Sequence, residues 1–130
     1  MNPRILVAED EADIADLLAY NFTAAGYEVR TANDGPTAIS EAVNWLPQAI
    51  ILDLNLPFLD GLSVCEILRH NTLTEHVPIL MLTAWTGSQA RELGMAAGAN
   101  AYLTKPFSPQ DVVKRVGQLI DGQSVVPVAA

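Results

Sequence analysis

Ala49-Ile50-Ile51-Leu52-Asp53-Leu54-Asn55-Leu56-Pro57, with Asp60-Gly61 just after it, decides how this chain folds. The length and β-branched content of the opening apolar run argue for a strand. Its unbroken apolar character fits a strand buried on both faces, as in a parallel sheet. A carboxylate then ends the run. Placed against buried chain, Asp53 has to be paired or bind a metal.

Working outward, similar short runs recur at Ile5-Leu6-Val7-Ala8, Val29 to Ala32, Ile79-Leu80-Met81-Leu82 and Ala101-Tyr102-Leu103. Amphipathic segments separate them. Ile14, Leu17, Leu18 and Phe22 keep helical spacing, and Gly26 stops that helix. Asp34-Gly35-Pro36 opens a second helix with Ile39 and Val43 on its inner face. Leu62 to Leu73 forms a third, and Thr86-Gly87-Ser88 precedes a fourth that ends near Gly98. Ser108-Pro109 starts a fifth, with Val112, Val113, Val116 and Ile120 inward. Strand–helix–strand crossovers give parallel strands with right-handed connections. The economical solution is a doubly wound α/β sheet of five strands with helices on both faces. Residues 1–121 make one domain, and 122–130 have the turn and extended character of a tail or linker start.

The 130 residues suit one core, half of them are apolar, and the formal net charge is −8. So acidic a surface opposes unaided binding to nucleic acid or anionic lipid. The single cysteine, Cys65, excludes an internal disulfide and suits a reducing cytoplasm. No apolar run approaches the ~20 residues needed to span a bilayer, and the N-terminus lacks the features of a signal peptide.

In an open α/β sheet, ligands bind beyond the carboxyl ends of the strands. At those ends lie Glu9-Asp10-Glu11, Asp53, Thr83 and Lys105. Crowded carboxylates repel unless a cation compensates them. Hard oxygen donors select Mg²⁺, which keeps waters that phosphate oxygens can replace. Three carboxylates, one lysine and one divalent cation sum to zero charge, ready for a phosphoryl group. Such transfer depends on positioning and electrostatics, with an Asp as nucleophile.

Together, Ile5 to Glu11, Asp53-Leu54-Asn55-Leu56-Pro57 with Asp60-Gly61, Thr83-Ala84 and Lys105-Pro106-Phe107 resemble the receiver domains of two-component response regulators. The resemblance spans residues of about 3 to 121. It implies a flavodoxin-like sheet of order 2-1-3-4-5, with Asp53 as phosphoacceptor. It further implies Mg²⁺ held by Asp10 and Asp53, by Glu9 through water, and by the Asn55 main-chain carbonyl. Thr83 and Lys105 would contact the phosphoryl group, and Lys105-Pro106 would be cis. The protein would be a signalling switch rather than an enzyme, with slow autodephosphorylation as its only catalysis. A histidine kinase or histidine phosphotransfer protein would be the donor, and the downstream partner is an unspecified protein. Glu9 departs from the more common Asp, and Trp85 is bulky where many members are small.

The same residues admit other readings. Glu9-Asp10-Glu11 alone could be solvated turn residues, and Glu11 is assigned to that class, where it would also favour the positive N-terminus of the first helix. Tyr102 lies in an apolar run that packing alone explains, while the matching family aromatic moves with Thr83. Asp60-Gly61 is a turn without direct chemistry. His70 and His76 lack metal-ligand spacing and belong on the surface. A haloacid dehalogenase-like phosphatase would need Asp-x-Asp after the first strand, where Glu9-Asp10 stands. A flavin phosphate would be repelled by the same acids. Asn55 and Trp85 flank the approach of water to the acceptor, one orienting and one excluding it. Some receivers of the winged-helix transcription-factor subfamily pair through the fourth helix, fifth strand and fifth helix, and Arg91, Asp111 and Arg115 are similar to that pattern. Ala101 stands there where an acid is expected, so phosphorylation-dependent pairing should be weak at most.

Overall fold

Burial of short apolar runs against helices on both sides builds the molecule. A computed structural model describes residues 2–124. The elements are β1 (Arg4–Ala8), α1 (Ala12–Ala24), β2 (Glu28–Ala32), α2 (Gly35–Trp45), β3 (Ala49–Leu52), α3 (Gly61–Arg69), β4 (Ile79–Thr83), α4 (Ser88–Ala97), β5 (Ala101–Thr104) and α5 (Pro109–Ser124). All strand pairs are parallel, in the order β2-β1-β3-β4-β5. This is the expected doubly wound sheet.

Alternate side chains of the central strands feed two cores. Leu6, Ile50, Leu52, Ile79 and Met81 face α2, α3 and α4. Ile5, Val7, Ile51, Leu80 and Leu82 join Leu18, Phe22, Val112 and Val116 of α1 and α5. Both faces of β1, β3 and β4 are therefore dry, which is why those runs do not alternate with polar residues.

Helix faces depart from the sequence reading in detail. In α1, Leu18 and Phe22 of the expected stripe are buried, but Leu17 is 44 % exposed and Ala15 is buried beside them. The buried face of α2 is Ala38, Ala42 and Trp45, with Ile39 and Val43 only half-buried. Small alanines let α2 lie close to the sheet and shift the stripe by one position. The third helix stops at Arg69, short of Leu73. There the Thr74 hydroxyl donates to the Leu68 carbonyl at 2.7 Å, and Asn71 Oδ1 accepts from the Leu73 N–H at 2.8 Å. Those local bonds satisfy the helix end in a turn. Gly122 to Ser124, expected as turn, continue α5. Of the tail, residues 125–130 lie outside the described residues. Among the described residues no helix is long and apolar enough to cross a membrane.

Cys65 is fully buried on α3, and burial pushes its thiol up to about 11. Thiolate is the reactive form, so both access and ionisation oppose reaction. A thiol reagent at neutral pH should label the native protein about two orders of magnitude more slowly than the denatured chain. Comparable rates would mean that α3 opens readily.

Candidate functional site

Four of the five strands, β1, β3, β4 and β5, end by delivering a side chain to the same edge of the sheet. The parallel ladder continues one residue beyond its strands. Glu9 N–H donates to Ala32 O at 2.9 Å, Asp53 N–H to Ala8 O at 3.1 Å, and Lys105 N–H to Thr83 O at 2.8 Å. These bonds fix three backbones before any side chain acts.

The Lys105 ammonium is the hub. It lies 2.7 Å from Glu9 Oε1, 2.8 Å from Asp53 Oδ2 and 3.8 Å from Glu11 Oε1. Glu9 and Asp53 are each 3 % exposed. Burial pushes the Glu9 carboxyl up to about 7, against the lowering effect of its Lys105 hydrogen bond. Burial alone would lower Lys105, but hydrogen bonds and charge from Asp53 and Glu9 outweigh it and hold the ammonium above its ordinary value. The free carboxylate oxygens accept main-chain donors. Glu9 Oε2 takes the Glu11 N–H and Asp53 Oδ1 the Asn55 N–H, each at 3.1 Å.

Glu9, Asp10 and Asp53 each offer a carboxylate oxygen, and these atoms lie within 4.8 Å of one another. Asp10 is exposed while the other two are buried. Three hard oxygen donors around one point, one open to solvent, fit a divalent cation such as Mg²⁺.

Thr83 is fully buried, and its hydroxyl accepts the Trp85 N–H at 3.4 Å. Tyr102 is buried in the α2–α4 core layer, with its hydroxyl donating to the Trp85 carbonyl at 2.8 Å. Burial and then the Asp53 charge raise its phenol. The Trp85 main chain is thus tied to Thr83 and Tyr102, while the residue as a whole is 47 % exposed. Asn55 is exposed beside the acceptor, and the Lys105-Pro106 peptide is cis.

Two roles were not drawn from the sequence. Glu11, assigned to the start of α1, is its N-cap, makes no side-chain cap bond and instead leans toward Lys105. Asp60 caps α3 by accepting the Ser63 N–H at 3.0 Å, as a turn residue should. Gly61 has a positional role: a Cβ there would lie 2.2 Å from the Asp53 carbonyl oxygen. The Asp-Gly pair at a helix start was visible, but not what lay against it.

Comparison with known proteins agrees with this geometry. The family model for the response regulator receiver domain matches residues 5–117. The chain is 47 % identical over 120 residues to the alkaline phosphatase synthesis transcriptional regulatory protein PhoP of Bacillus subtilis, covering 92 % of this chain and 49 % of that one. It is 42 % identical over 128 residues to the DNA-binding dual master transcriptional regulator RpaA of Synechocystis, covering 98 % of this chain and 53 % of that one. It thus spans about half the length of these two relatives. The receiver domain of Francisella response regulator 1452 superposes with a TM-score of 0.88 at 32 % identity, covering 94 % of this chain and 99 % of that one. The chain belongs to the response regulator receiver domains, the phosphorylation switches of two-component systems.

Proposed function

We propose that Asp53 is the phosphoacceptor and that its modification is read out through Thr83, Lys105 and Tyr102. The Asp53 carboxylate carries this reading. It is buried, it is held by Lys105 at 2.8 Å, and it shares a cluster with Glu9 and Asp10. A carboxylate oxygen forms the new O–P bond as the P–N bond of a phosphohistidine breaks, and the electron pair leaves with the imidazole. The donor is a histidine kinase or a histidine phosphotransfer protein. Lys105 and the Thr83 hydroxyl then pair the phosphoryl oxygens.

Asp10 and Asp53 would hold Mg²⁺ directly, Glu9 through water, and the Asn55 carbonyl would complete the set. The bound ion supplies positive charge against the phosphoryl oxygens. Drawing Thr83 toward the phosphoryl group loosens its hold on the Trp85 N–H, and Tyr102 follows through the Trp85 carbonyl. Differential contacts of this kind shift a population between two conformations. The chain acts as a switch for a downstream protein, with slow autodephosphorylation as its only catalysis. Its acidic charge argues against direct nucleic-acid contact by this domain. A buried unpaired thiol fits the cytoplasm.

Asp53→Asn should abolish phosphate incorporation from a small acyl phosphate, followed by intact-mass measurement. An amide is no nucleophile, so full labelling would refute the assignment.

Trp85 should prolong the phosphorylated state by keeping water off Asp53, against any orienting help from Asn55. Trp85→Ala should then dephosphorylate several-fold faster at equal Mg²⁺. Equal or slower decay would place the indole elsewhere.

Pairing through α4, β5 and α5 should be weak. Ala101 is buried and supplies no acid, and Arg91 donates to the Tyr102 carbonyl of its own chain at 3.1 Å. Exposed ion pairs add little singly. Sedimentation equilibrium of the phosphorylated protein should show mainly monomer at micromolar concentration, and a tight dimer would contradict this.

A further inference from the structure

We propose that Gly35, the first residue of α2, is a positioning residue for the metal-binding loop between β3 and α3. The inference rests on the reading above, in which the Asn55 carbonyl is a metal ligand.

The loop has an unusual shape. Leu59 N–H donates back to Pro57 O at 2.8 Å across Phe58, whose φ is +68°. That three-residue turn is rare and strained, more so with a side chain at its centre. Phe58 is 90 % exposed, so its own ring packing does not hold the turn. Strained backbone persists only where its surroundings over-determine it.

Gly35 is one such constraint. Its N–H, a first-turn amide without a partner inside α2, donates to the same Pro57 carbonyl at 3.2 Å. A Cβ on Gly35 would lie 2.2 Å from Leu59 O and 2.7 Å from Leu59 Cβ. Only glycine lets the helix start come so close to the loop main chain. Asp34 fixes the approach by accepting the Thr37 N–H at 2.7 Å. On the other flank, Gly61 N–H donates to Leu54 O at 2.9 Å, with the Asp53 carbonyl pressed against its Cα. The segment from Asp53 to Gly61 is thus gripped at both ends of its turn. Asn55 lies inside the grip, two residues before Pro57. A side chain at position 35 pushes on Leu59 O, which is backbone and cannot rotate away. The displacement passes through Pro57 to the Asn55 carbonyl. Outer contacts that orient ligands commonly change metal affinity by about 10- to 100-fold.

The test is calorimetric Mg²⁺ titration of wild type, Gly35→Ala and Val116→Ala. Val116 is buried in the core layer of α1 and α5, and its truncation destabilises the fold away from the site. Gly35→Ala should bind Mg²⁺ about tenfold or more weakly, while Val116→Ala binds as wild type does. Wild-type affinity in Gly35→Ala, or equal losses in both variants, overturns this inference and leaves the metal reading standing. Absence of Mg²⁺ binding by wild type overturns both. Should Gly35→Ala not fold, amide hydrogen exchange of the wild type decides. Coupling is reciprocal, so saturating Mg²⁺ should slow exchange at the Gly35 N–H several-fold. It should leave the Gly26 N–H, bonded to Thr23 O, unchanged. Unaltered exchange at Gly35 overturns the inference.

Discussion

A lysine ammonium buried among carboxylates holds the functional edge of this sheet together. Glu9 and Asp53 come from neighbouring strands and are almost wholly removed from water. Their mutual repulsion and loss of hydration oppose folding, and the Lys105 ammonium at 2.7 and 2.8 Å offsets both. The offset is partial. Burial still leaves the Glu9 carboxyl at about 7, far above an ordinary glutamate. Shifts of this kind occur both in functional sites and in structural ion-pair networks. One positive charge among three or four acids also leaves the cluster anionic, the condition under which a divalent cation binds well.

Much of this was readable in the sequence because it depends on local rules. Continuous apolar runs specify strands wet on neither face, and a polar residue after such a run must lie at the sheet edge. Asp53, Thr83 and Lys105 stand where that rule puts them. The depth of each acid was not readable. Glu9, Asp10 and Glu11 are three similar letters, yet Glu9 is buried and its neighbours are exposed, because only Glu9 continues the ladder with Ala32. Helix faces were off by one position where alanines, not larger apolar residues, meet the sheet. Gly35 and Gly61 looked like ordinary turn residues. Their importance comes from the nearness of backbone distant in sequence, and no local pattern records that.

The two flanks of the site are built differently. On the β1–β3 flank, main-chain ladder bonds and glycine contacts grip the loop after Asp53, and displacement there meets backbone. On the β4–β5 flank the connection to α4 depends on side chains. The Thr83 hydroxyl at 3.4 Å, the Tyr102 phenol at 2.8 Å and the Arg91 guanidinium at 3.1 Å are its tethers. Residues 84–89 are exposed, and Gly87 sits at φ +101° with nothing within 4 Å of a Cβ placed there. A segment with few buried contacts and few hydrogen bonds opens at lower free energy than a clamped one. In the proposed reading, modification at Asp53 would draw on Lys105 and Thr83 first, and Thr83 directly precedes the exposed connection. On that reading the stiff flank would keep metal and acceptor in place while the exposed connection takes up the change. A switch needs that asymmetry, since a site loose on both sides would lose its ion, and one clamped on both sides would bind phosphate without passing the change on.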